Sequence, residues 1–267
     1  MLLAAGALLS ACSGPASMGR GAHTGYAQSM DSATNACLRN PVCYAQAGED
    51  AVLPWLARAA SAVRTAAATL RLLEAADVEH VEKLLVECAK QANFEVNERV
   101  FGEGKRPTRE QCEKEVRRDT RGNPVTWAME LGTEKHEVAL KCAEEKLGKA
   151  VPGNFSVEPR YFKEPRTGRL RLLDPEEVEL WLADGLFHLL LGTLVPDVVL
   201  HASGDPLKVL TAYDFKFPCA DSKEPDWNGY PDGHPHAGMD QGEAYNRTLG
   251  LEVKSARVSP SWGITRW

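Results

Sequence analysis

VPDVVLHASGDPLKVLTAYDFKFPC, residues Val195 to Cys219, combines strand pattern, turn and convergent charges more densely than any other segment of the chain. Two β-rich apolar runs, Val195–Leu200 and Val209–Phe217, flank the turn signal Ser203-Gly204-Asp205-Pro206, which predicts a hairpin. Side chains alternate along a strand, so Asp214 and Lys216 emerge on one face, and Asp197 near the start of the partner strand comes opposite them. Two carboxylates beside one ammonium cost free energy unless a hard divalent cation sits between the acids. An Asp-x-Lys triplet turns up by chance about once in a chain of this size, so a surface hairpin with solvated charges fits the same residues.

Downstream, the loop Asp221–Met239 (DSKEPDWNGYPDGHPHAGM) offers Trp227 and Tyr230 for stacking on bases, and His234 and His236 for a metal or phosphate. A polar connecting loop with two solvated histidines is the alternative. Gln241-x-x-x-Tyr245 follows on a helix, then a last strand, Leu251–Val258, with Trp262 and Trp267 packing over its edge. Upstream, Asp174–Leu191 is helical in pattern and reads as an insertion lining a substrate channel, between a first strand, Phe155–Phe162, and Pro196.

A long helix is predicted from Val125 to Leu147, stopped by Gly148. Gly132, His136, Ala139, Ala143 and Leu147 share one of its faces, with His136 read either as a core histidine or as a ligand. Before it, Pro107–Gln111 opens a helix with Thr108 as N-cap and Gln111 completing a capping box. Ala51–Ala76 and Asp77–Ala92 carry apolar residues at helical spacing.

Gly132-x-x-x-His136, Pro196-Asp197, Asp214-x-Lys216 and Gln241-x-x-x-Tyr245 occur in that order on helix, strand, strand and helix. The set resembles the RecB-type branch of the PD-(D/E)xK nuclease superfamily, over about Pro124 to Val258. The resemblance implies an α/β fold with a restriction-endonuclease-like core, a mixed central sheet flanked by helices, here preceded by a helical N-terminal region. It implies metal ligands His136, Asp197 and Asp214 with the Phe215 carbonyl, a catalytic Lys216, and Gln241 and Tyr245 at the substrate side. Many members place a glutamate on the first helix, and Glu137 and then Glu134 stand behind His136 in that role. The implied cofactor is Mg2+ or Mn2+, which lowers the pKa of a coordinated water and neutralises charge on the phosphoryl oxygens. Lys216 would orient that water, and in-line attack would leave a 5′ phosphate.

The chain has 267 residues, 43% hydrophobic and 25% charged, an ordinary globular composition for one large domain plus a leader. Its net charge of −6 argues against an all-over basic surface but leaves room for a local basic groove. Lys105, Arg106, Arg109, Lys114, Arg117, Arg118 and Arg121 form one candidate block; Arg160, Lys163, Arg166, Arg169 and Arg171 form another. Either block also reads as a solvated face.

Residues 1–12, MLLAAGALLSAC, form an apolar run too short to span a bilayer and resemble a lipoprotein signal ending in a lipobox, with lipidation at Cys12, although no Lys or Arg precedes the run. Residues 13–50 read as a linker, 51–123 as a helical region and 124–267 as the nuclease domain. Six further cysteines allow fifteen pairings in an exported chain. Cys37 with Cys43 is the easiest local pair, and Cys142 with Cys219 pair only if their Cα atoms come within about 7 Å. Leader plus domain resembles the polymorphic lipoprotein toxins that myxobacteria exchange between outer membranes. That likeness implies an antibacterial toxin, exported to the outer membrane or periplasm and acting on nucleic acid, DNA before RNA, in a recipient cell's cytoplasm. It further implies a cognate immunity protein and membrane contact only through the lipid anchor. A housekeeping RecB-like repair nuclease and a non-catalytic exported lipoprotein are the other readings.

Overall fold

The computed structural model describes residues 73–119 and 122–266. The expectations on the lipobox with Cys12, the linker, nearly all of the helix 51–76, the pair Cys37 and Cys43, and Trp267 fall outside the described residues.

Helix α1 (Ala75–Phe101) starts where Glu74 and Asp77 exchange capping hydrogen bonds and ends at Gly102, whose φ of 91° suits glycine. It runs past the predicted end at Ala92, because Asn93 and Asn97 lie on its buried face and bond to each other, Asn97 Nδ2 donating to Asn93 Oδ1 at 3.2 Å. Helix α2 (Arg109–Glu113) has the predicted capping box of Thr108 and Gln111. A small hairpin of β1 (Glu115–Arg118) and β2 (Pro124–Thr126) follows, with Asp119 accepting hydrogen bonds from Asn123 N and Nδ2. Val125 therefore belongs to a strand. Helix α3 (Trp127–Ala150) starts two residues later, with Thr126 as its cap, and passes through Gly148 before ending at Val151 ahead of Pro152. A glycine in the last turn costs about 1 kcal/mol, too little to end a helix packed along its length.

The predicted first strand is split. β3 (Phe155–Val157) ends at Glu158, which adopts a left-handed φ of 48° ahead of Pro159, and the chain leaves the sheet. β4 (Tyr161–Lys163) and β5 (Leu170–Leu172) form a separate hairpin. The insertion folds as α4 (Pro175–Ala183), with Asp174 as N-cap and Pro175 in the first turn, and a 3-10 turn, Phe187–Leu190. Leu173, Val178, Leu182 and Leu190 give this unit a core of its own.

The central hairpin forms as expected. β6 (Val198–Ala202) pairs antiparallel with β7 (Asp205–Phe215), in register Val198↔Tyr213 and Leu200↔Thr211, around a tight turn in which Gly204 takes a φ of 70°. After α5 (Gln241–Leu249), capped by Asp240 and Glu243, β8 (Ala256–Ser259) runs parallel to β7, and β9 (Gly263–Thr265) adds an edge the sequence pattern did not announce. The predicted last strand is thus shortened to its second half, and Trp262, in the turn between β8 and β9, stays 45% exposed.

The result is a mixed α/β fold whose five-stranded sheet runs β3-β6-β7-β8-β9. Alternation sorts its side chains. Val198, Leu200, Tyr213, Phe215, Ala256 and Val258 pack with α1 and α3, whereas Val199, Val209 and Ala212 pack with α5 and the loop carrying Trp227 and Tyr230. Asp214 falls on the α5 side. Two disulfides staple the frame. Cys88–Cys142 joins α1 to α3 with Cα atoms 5.5 Å apart, and Cys112–Cys219 joins α2 to the chain just past β7 at 5.7 Å. Cys142 and Cys219 do not pair with each other, since Cys142 faces α1.

Candidate active site

The end of β7 presents Asp214 and Lys216 to α5. Lys216 Nζ donates to Asp214 Oδ2 at 2.6 Å and to Gln241 Oε1 at 2.6 Å. Gln241 Nε2 donates to the Tyr245 hydroxyl at 2.9 Å, and that hydroxyl donates to Asp214 Oδ1 at 3.1 Å. Four side chains close a ring, because one helical turn brings Gln241 and Tyr245 onto the same face of α5. The ring is almost dry: Gln241 and Tyr245 are fully buried, Asp214 is 2% exposed and Lys216 6%. Gln241 and Tyr245 therefore hold the lysine and the acid from inside, rather than standing at an open substrate side.

Asp197 lies just before β6, beside the same site. Its Oδ2 accepts the Phe215 N–H at 2.6 Å and sits 3.3 Å from His136 Nδ1, reached from the middle of α3. The His136 ring packs edge-on against Phe215 and Phe217. Burial, then the fields of Asp214 and Glu158, push the Asp197 carboxyl well above the usual carboxylate range, against the Phe215 N–H and the Lys216 ammonium. Glu158, buried at the point where β3 breaks, was not singled out from sequence. Its backbone N–H donates to the Asp197 carbonyl at 3.0 Å, and the only available hint was its place before Pro159 at a strand end.

The structure thus brings His136, Asp197, Asp214, Phe215, Lys216, Gln241 and Tyr245 to one place. It leaves Glu137 exposed, and Glu134 turns outward to pair with Arg99, because adjacent helical positions lie about 100° apart and cannot share the face of His136. Among the described residues, no three His, Cys, Asp or Glu side chains are drawn into a ready-made metal cluster. The donor chemistry still fits a hard divalent cation. The Asp214 carboxylate meets the Lys216 ammonium, the Asp197 carboxyl lies in the fields of Asp214, Glu158 and Lys216, and the His136 imidazole stands 3.3 Å from Asp197.

The Asp221–Met239 loop does something other than expected. Trp227 and Tyr230 are buried in the core beside Tyr245 and offer no open face for bases. His234 stacks on Tyr230 at 4.5 Å with the rings nearly parallel, and its Nδ1 accepts the His236 N–H; His236 Nε2 lies 3.1 Å from the Gly192 carbonyl. Burial pushes the His234 imidazole down to about 4 and lowers that of His236. Both rings are held by packing and hydrogen bonds within the loop and to the Gly192 carbonyl.

Four arginines of the first basic block and two of the second have acidic or hydroxyl partners, and Arg121 lies outside the described residues. Arg106 faces Asp221, Arg109 pairs with Glu113, Arg117 with Glu130, Arg118 with Glu115, and Arg171 with Glu164 and Glu177. Arg160 is buried and donates to Thr193 Oγ1. Lys163, Arg166 and Arg169 stand exposed on the β4–β5 hairpin. No helix among the described residues is long and apolar enough to cross a membrane. The chain matches no protein-family model, no curated protein and no solved structure.

Proposed function

We propose that this protein is a Mg2+- or Mn2+-dependent nuclease with a restriction-endonuclease-like core of the PD-(D/E)xK type. The observation that carries the reading is the closed ring of Asp214, Lys216, Gln241 and Tyr245, formed by two motifs 25 residues apart. With β4, β5, α4 and the 3-10 turn inserted between β3 and β6, the order α3, β3, β6, β7, α5 and β8 gives a helix, three antiparallel strands, a helix and a parallel strand, which agrees with such a core.

Asp197, Asp214, the Phe215 carbonyl and His136 would hold the cation. When bound, it supplies Lewis acidity that activates water and neutralises negative charge on a phosphoryl oxygen. The chain's own groups do the positioning. Tyr245 fixes one oxygen of Asp214 and the Phe215 N–H one oxygen of Asp197. An ammonium has three donors, and Lys216 directs two of them at Asp214 and Gln241. The third serves the attacking water or the phosphoryl oxygen, where charge grows in the transition state. In-line attack at phosphorus breaks the bond to the 3′ oxygen and leaves a 5′ phosphate.

The biological setting we propose is an exported antibacterial lipoprotein toxin, lipidated at Cys12, acting on DNA in a recipient's cytoplasm and neutralised there by a cognate immunity protein. Two disulfides support passage through an oxidising compartment. Incubating the full chain with plasmid, single-stranded DNA and RNA, in Mg2+, Mn2+ or EDTA, tests the chemistry. Cleavage that needs metal and vanishes in Asp214→Ala is the expected outcome; no cleavage of any substrate removes the reading.

A further inference from the structure

Trp227 is buried, and its surroundings are those of the Lys216 ring. The Lys216 ammonium lies 5.3 Å from the Trp227 ring centroid, and the Arg257 guanidinium lies 5.8 Å from it. Arg257 is in register with Asp214 across the β7–β8 pair, so it comes from the same face of the sheet. The indole also meets Tyr245 edge to face at 6.0 Å, so it touches the ring of site residues at two members.

The chain makes room for this indole. A Cβ on Gly242 would come within 2.6 Å of Trp227 ring atoms, so the residue after Gln241 has to be glycine for the tryptophan to sit where it does. Gly242 is inside helix α5, where glycine carries no turn. From the other side, Arg257 Nη1 donates to the Pro225 carbonyl and lies 3.7 Å from Asp226, fixing the segment that leads into Trp227. Trp227 is 8% exposed and forms part of a buried wall.

We propose that Trp227 is a positioning residue for Lys216, seated by Gly242 and Arg257. A lysine ammonium sits on a flexible four-carbon stem. Its bonds to Asp214 and Gln241 fix the tip, and the quadrupole of the indole attracts the cation from the side while the ring keeps water off it. A phenyl ring retains that attraction in weaker form, and an aliphatic side chain of similar bulk does not. The proposal rests on the nuclease reading, because only there does the direction of the third Lys216 N–H matter.

Two measurements on the full chain test it, with Trp227→Phe and Trp227→Leu beside the wild type. In the first, lysines are 13C-labelled and the Lys216 ε-methylene is assigned by its loss in Lys216→Arg. Its resonance should be shifted upfield by the ring in the wild type and in Trp227→Phe, and should return to the ordinary lysine position in Trp227→Leu. In the second, DNA cleavage is measured in Mn2+. Trp227→Leu should lower kcat about 10- to 100-fold with KM unchanged, as a misdirected catalytic group does, and Trp227→Phe should recover most of the loss. Mn2+ affinity by calorimetry should be the same in all three, since the indole touches no ligand. Gly242→Ala should behave like Trp227→Leu. A cutting wild type whose Phe and Leu variants lose activity equally, or whose Lys216 resonance is unshifted, removes the positioning role alone. A wild type with the shifted resonance that cuts no nucleic acid removes the nuclease reading, and the positioning role with it.

Discussion

Two buried polar clusters lie on the α5 side of the sheet and differ in one respect. Around Asp214, acids outnumber the ammonium, and each bond in the ring ties a charge or a hydroxyl to a charge or an amide. Around His234, one imidazole stacks on Tyr230 and accepts the His236 N–H, and the His236 ring bonds to the Gly192 carbonyl, with burial favouring the neutral form of both. Both are buried and both contain residues that bind metals elsewhere. On the proposed reading, convergence of unlike charges with carboxylate in excess marks the Asp214 cluster as the cation site, and a histidine by itself carries no such mark.

Removing the charges should break the comparison most sharply. Asp214→Ala and Lys216→Ala are expected to lose metal-dependent cleavage by about 10³-fold or more, with the fold intact by circular dichroism, whereas His234→Phe cuts DNA like the wild type. Equal losses in the two clusters would contradict the distinction. Loosening the ring without removing its charges should cost less. Tyr245→Phe and Gln241→Leu are expected to lower kcat about 10- to 100-fold in steady-state assays, with little change in KM, because they orient Asp214 and Lys216 from behind.

Stability against pH should separate the clusters by sign. The His234 imidazole, held down at about 4 against an ordinary 6.5, binds a proton more readily in the unfolded chain. Its contribution is therefore intact above pH 6.5 and lost as pH falls towards 4, by at most about 3 kcal/mol in denaturant titrations. His234→Phe, which keeps the stack on Tyr230, should remove that acid loss. Asp197 runs the other way. Its carboxyl is raised from an ordinary 3.8, so the folded chain holds its proton longer and stability falls as pH rises from about 4 through the raised value. In EDTA at neutral pH, Asp197→Asn should therefore be more stable than the wild type by about 1 kcal/mol, and Mn2+ should reverse the order. Smallest of all, Glu137→Ala should change neither cleavage nor melting, since Glu137 faces solvent.

The hairpin and the spacing of Asp214 and Lys216 were legible because strand alternation and a glycine turn are local signals, as was the capping box of Thr108 and Gln111. His136 was legible through its small-residue face, although the same pattern did not exclude Glu137 until the helix was seen in place. What could not be read depends on distant partners. The break at Glu158 follows from where β6 receives β3, and the pairing of Cys142 with Cys88 from how α1 lies on α3. Trp227 looked like an exposed aromatic in a polar loop, because nothing local says that Gly242 has vacated the space for its ring. Polar, glycine-rich sequence signalled a loop correctly but not its burial.

Whether the ring around Asp214 and Lys216 is catalytic machinery, as proposed, is decided by DNA cleavage by the full chain in Mn2+ and in EDTA, beside Asp214→Ala and His234→Phe. The wild type and His234→Phe should cut in Mn2+ only, and Asp214→Ala should not cut. Undiminished cutting by Asp214→Ala, or cutting that persists in EDTA, would contradict the proposal.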